Sequence, residues 1–211
     1  MSKIYMGVIV PCMVILPITI CLFRTKNWDN QVRILFFYLI LSGVFNLIAK
    51  LTARTNNLPF LHLYTVLEFI TICLFFKGFI RKKSGNFTLN SLIVSFFLLA
   101  LWYAFIEESL FVFNKIPRFS GSLTITIMCL HFLIKDLGSI KANLSNFQFL
   151  AIMGLLFYYS TCAILFGLSD ELLKIPRYVA TLFWNIHASL NMLMYILFAL
   201  GFYCIKNKRR G

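Results

Sequence analysis

Acidic residues are scarce in this chain: seven Asp and Glu stand against 20 Lys and Arg in 211 residues. Long polar stretches are missing too. The widest gap between apolar runs is about a dozen residues, too short to fold a separate soluble core. Charged residues of both signs make up 13% of the chain, about half the share usual in soluble domains. The six cysteines include no CxxC pair, so neither a disulfide framework nor a structural zinc site is indicated. Three histidines cannot provide four-histidine haem ligation. No lysine lies between Lys174 and Lys206, where a retinal Schiff base would need one, and there is no G-x-S-x-G nucleophile elbow. Glu107-Glu108 lacks the downstream arginine of the intramembrane CAAX-protease pattern. No cofactor and no metal site is expected.

In place of polar segments the chain has apolar runs. Hydrophobic residues are 60% of the total, 24 of them Phe, and the mean hydropathy is +0.85. A bilayer core about 30 Å thick needs about 20 mostly apolar residues per helix, and seven runs approach or reach that length. The expected fold is all-α, a polytopic bundle of seven transmembrane helices over residues 4–23, 34–51, 58–76, 89–106, 119–134, 147–168 and 178–205, forming one transmembrane domain across 1–211. The first run follows Lys3 but has no small-x-small cleavage pattern, so it reads as a retained helix rather than a secretory signal. Pro11 and Pro17 each remove a backbone hydrogen bond and should kink it.

The net charge of +13 does not form a basic face for nucleic acid, because the Lys and Arg sit between apolar runs, where anionic headgroups attract them. The partner they imply is the lipid bilayer. With the N-terminus outside, 13 Lys and Arg fall on the inner side, among them Arg24, Lys26, Arg33, Lys77, Arg81, Lys82, Lys83, Lys135, Lys141 and the tail Lys206–Arg210. Seven fall outside: Lys3, Lys50, Arg54, Lys115, Arg118, Lys174 and Arg177. Retention of positive loops in the cytoplasm therefore predicts N-out, C-in in a cell (inner) membrane. Asn86-Phe87-Thr88 and Asn143-Leu144-Ser145 match the glycosylation pattern but fall in loops assigned to the cytoplasm.

The outer loops carry a near-duplicate. Lys115-Ile116-Pro117-Arg118-Phe119 returns as Lys174-Ile175-Pro176-Arg177-Tyr178, and Pro59 lies at a similar interval upstream. Each proline opens an odd-numbered helix, where its missing N–H costs nothing. Either three helix hairpins repeat after helix 1, or the pattern is an interfacial cap with snorkelling cations.

The candidate site follows from depth. At 1.5 Å per residue from the outer prolines, Glu68 and His187 lie about 14 and 16 Å deep, near the midplane, and Ser42 and Asn46 fall in the same slab. Trp184, His187, Asn191 and Tyr195 form one helical stripe; Tyr64 shares a face with Glu68. His or Glu at such depth costs a few kcal/mol. These eight residues are the candidate ligand-binding set, a polar seam that either glues helices together or lines an outward-facing pocket, with Glu68 neutral or paired with His187. His131 and His62 are expected to be packed or near the headgroups.

The segments Leu61-His62-Leu63-Tyr64-Thr65-Val66-Leu67-Glu68-Phe69 and Asn185-Ile186-His187-Ala188-Ser189-Leu190-Asn191 resemble those of a group of uncharacterised seven-helix integral membrane proteins of Bacteroidota-type bacteria. The resemblance implies a sensory membrane subunit beside a separate cytoplasmic kinase. A small proton-coupled transporter using Glu68 is a second expectation. A third comes from similarity to seven-helix zinc-dependent hydrolases of lipid amides, with Ser-x-x-x-His and His-x-x-x-His helices. Here Ser42-x-x-x-Asn46 and His187-x-x-x-Asn191 replace a histidine each time, and Asn is a poor zinc ligand.

Overall fold

A computed structural model of the chain describes residues 4–24, 28–52, 56–80, 83–107, 109–137 and 144–205. Ten of the cations in the charge count (Lys3, Lys26, Arg54, Arg81, Lys82, Lys141, Lys206, Lys208, Arg209 and Arg210), together with Glu108 and Asn143, lie outside the described residues. Seven helices are long and apolar enough to cross a membrane: α1 Tyr5–Arg24, α2 Asn30–Leu51, α3 Leu58–Lys77, α4 Lys83–Ile106, α5 Lys115–Leu137, α6 Asn146–Gly167 and α7 Arg177–Tyr203. No strand occurs among the described residues. Every span leaves large apolar side chains on its outside, such as Phe37, Val44 and Leu47 on α2 and Leu182 and Ile186 on α7. In water such faces would have to be covered; in a bilayer they meet acyl chains. The chain is a multi-pass helical membrane protein.

Most helices begin earlier than their apolar runs, because polar first turns are still helical. α2 starts at Asn30, where the Asp29 side chain accepts from the Val32 N–H, and α6 carries a capping box between Ser145 and Gln148. Gln148 also donates to Gln31, joining the starts of α6 and α2. The break expected in α1 is present. A π-turn at Tyr5–Ile9 runs into Val10–Cys12, and the α-helix resumes only at Ile15. Pro17 cannot donate to the Met13 carbonyl, which accepts from Leu16 instead.

α6 is the hub of the bundle, packing most extensively against α5 and α7; α1 leans on α7, and α2 pairs with α3. Close approach of α6 and α7 relies on glycine. A Cβ on Gly154 would stand 3.1 Å from Phe198 Cε1 and 3.3 Å from the Met194 carbonyl oxygen, and one on Gly201 3.3 Å from the Phe147 carbonyl. Leu35, Phe75, Phe76, Phe198 and Phe202 fill the half of the bundle near the starts of α2 and α6, each buried to 1% exposure or less. The other half holds the buried polar residues Ser42, His62, Thr65, Glu68, Asn114 and Arg118 among apolar ones such as Phe166.

Candidate functional site

Glu68 stands ten residues into α3, about 15 Å from its start. Its partner is Arg118. The Arg118 Nη1 donates to Glu68 Oε2 at 2.6 Å, with the two residues only 8% and 3% exposed. Charge-assisted pairs of this kind are needed wherever a carboxylate is kept from water, since a lone ion there costs several kcal/mol. Tyr64 Oη donates to Glu68 Oε1 at 2.8 Å, and Tyr38 Oη makes a longer 3.5 Å contact with the same oxygen and lies 3.4 Å from Tyr159 Oη. The guanidinium also lies over the rings of Tyr64 and Phe166, at 5.5 and 5.4 Å.

This corrects the placement of Arg118 as an outer-edge cation. The duplicated motif behaves differently in its two copies: Arg177 is exposed, Arg118 is buried. The cause lies in the segment before α5. Residues 109–114 descend into the bundle, so that Asn114, 1% exposed, donates from Nδ2 to Thr65 Oγ1 at 2.9 Å. Thr65 is seven residues into α3, so α5 begins about 10 Å below the start of α3. Arg118, in the first turn of α5, is thereby level with Glu68. The same descent covers His62, whose Nε2 donates to the Val112 carbonyl at 2.9 Å, so that His62 is buried, four residues into α3.

Beside the pair lies a cavity of about 180 Å³. α2 contributes Tyr38, Ser42, Phe45, Asn46 and Ala49; α3 and the residue before it contribute Asn57, Phe60, Leu61 and Tyr64; Arg118, Tyr158, Asn191 and Tyr195 complete it from α5, α6 and α7. From Tyr38 to Ala49 it runs about 16 Å along α2, from mid-helix to the end where α2 stops and α3 begins. Ser42 Oγ and Tyr195 Oη hydrogen-bond at 2.8 Å across its wall.

Of the residues singled out from the sequence, Ser42, Asn46, Tyr64, Asn191 and Tyr195 share this cavity. Glu68 sits behind it, tied to two of its lining residues, Tyr64 and Arg118. His187 and Trp184 are not in its lining. The His187 ring stacks on Tyr158 at 5.1 Å, its Nδ1 lies 3.4 Å from Thr161 Oγ1, and Cys162 Sγ is 3.9 Å from Nε2. Trp184 meets His187 edge-on at 6.1 Å and is more than a third exposed. His131 lies on the outside of α5, edge-on to Phe132. Among the described residues no three His, Cys, Asp or Glu converge as metal donors.

The sequence reading missed Arg118, Tyr38, Tyr158 and Tyr159. One signal pointed to the first: α5 has the lowest mean hydropathy of the seven spans, 1.2, because Arg118, Ser120, Gly121 and Ser122 open it. A helix start that polar is better placed inside the bundle than at its lipid face.

The arrangement defines a helical membrane protein with a partly polar cavity beside a buried ion pair. Comparison of the chain with protein-family models, curated proteins and solved structures finds no match.

Proposed function

We propose that this chain is a small-ligand-binding membrane module that acts as a sensor with a separate cytoplasmic partner. The observation that carries the reading is the cavity: it extends from the buried Glu68–Arg118 pair toward the end of α2 and is lined from five helices. A pocket shared by so many helices responds to occupancy by shifting their packing, which is the coupling a sensor needs. In the N-out, C-in orientation that the charge count favours, the mouth faces away from the cytoplasm and the ligand arrives from outside a cell inner membrane. The signal then leaves at the opposite end, where α2 and α6 are joined through Gln31 and Gln148.

Below Tyr38 the bundle is packed shut by Leu35, Phe75, Phe76, Phe198 and Phe202. That plug favours binding over passage. The transporter reading keeps one specific support, a carboxylate with a hydrogen-bonded cation at mid-membrane depth, and requires the plug to open. The hydrolase reading has less: Ser42 is bonded to Tyr195, and His187 sits outside the cavity. A repeat of three hairpins would pair α2 with α3, α4 with α5 and α6 with α7; α2 does pack on α3 and α6 on α7, but α6 packs on α5 as extensively and α4 packs on α3 more than on α5.

Thermal unfolding of the protein in lipid nanodiscs against a panel of small metabolites tests the reading. At least one compound is expected to raise the midpoint, and Ala49→Trp, which blocks the mouth from an exposed position, should abolish the rise. A rise that survives Ala49→Trp places the ligand elsewhere and overturns the proposal.

A further inference from the structure

Among the described residues the charge of the cavity wall cancels, and this bears on what the vestibule accepts. Building on the binding-module reading, we infer that its ligand is a small molecule without net charge that both donates and accepts hydrogen bonds beside an apolar portion.

Among the described residues Arg118 is the charged residue in the lining, and Glu68 neutralises it at 2.6 Å from behind the wall. An added anion would leave one uncompensated negative charge, and an added cation one uncompensated positive charge. Either would lie in a low-dielectric interior that penalises unpaired ions strongly. The other polar groups of the wall are hydroxyls and carboxamides, on Ser42, Asn46, Tyr64, Asn191 and Tyr195. Such groups recognise uncharged amides, alcohols and heterocycles by exchanging hydrogen bonds.

Phe45 and Phe60 give the cavity flat apolar surface. Its volume, about 180 Å³, is below the ~300–1,000 Å³ of drug-sized sites, which limits the occupant to a small metabolite.

The test uses the full chain in nanodiscs of uncharged phosphatidylcholine, with binding read by calorimetry. The uncharged probes are benzamide, nicotinamide, uracil and erythritol; benzoate, nicotinate and benzylamine are the charged counterparts. At least one uncharged probe is expected to bind tenfold or more tightly than every charged one, with binding lost in Ala49→Trp. Asn191→Asp, which puts a charge where a neutral acceptor stood, should shift preference toward benzylamine, a change that simple loss of packing would not produce. Charged probes binding as well as or better than uncharged ones, still blocked by Ala49→Trp, would overturn the inference and leave the binding-module reading standing. Failure of every probe to bind would overturn the inference and, joined to a flat metabolite panel, the reading as well.

Discussion

Arg118 and Glu68 each make the other tolerable. Removing one leaves the other as an isolated buried ion, so Glu68→Gln and Arg118→Met are each expected to destabilise the protein by about 3–5 kcal/mol. The double variant should cost clearly less than the sum. A double-mutant cycle on unfolding in detergent measures the coupling, and additive losses would mean that the two side chains do not interact. Tyr64 holds the second carboxylate oxygen, so the pair is fixed from two sides. What the sequence showed at this scale was Glu68 as an acid in need of a partner. By depth from the outer prolines His187 is the nearest candidate, which holds only where all odd helices begin at one level. α5 does not; no periodicity along one helix reports how far its neighbour is pushed down.

At the scale of single helices, length and apolar content were enough to place all seven, and the errors fall at polar first turns, where capping rather than hydropathy decides the start. Which helices touch was not legible. The α6–α7 contact rests on glycines whose spacing, Gly154 on one helix and Gly201 on the other, gives no local pattern. Gly154→Val should force the helices apart and cost about 1–3 kcal/mol, whereas Gly43→Ala, whose Cβ would meet only Val14 at 3.7 Å, should leave stability nearly unchanged. Thermal midpoints of the two variants in the same detergent check this; equal effects would show that α6 and α7 do not pack closely.

For the molecule as a whole, the candidate seam was largely readable, since Ser42, Asn46, Tyr64, Asn191 and Tyr195 do line one space. Polar side chains inside a bilayer have few places to go, and equal depth on separate helices nearly forces them together. Orientation belongs to this scale too. A fluorescent protein fused after the last residue should fluoresce, and alkaline phosphatase at the same point should be inactive, if the C-terminus is cytoplasmic. The opposite pair of results would turn the cavity mouth to the other side.

The descent of residues 109–114 also orders the events of biosynthesis. α3 leaves the ribosome well before α5, so Glu68 enters the lipid ahead of the one guanidinium that neutralises it. Until some 50 further residues have been translated, that carboxyl group lacks the partner it has in the folded protein. Arrival of Arg118 is then the moment at which the acid gains the partner that makes its place in the bundle tolerable.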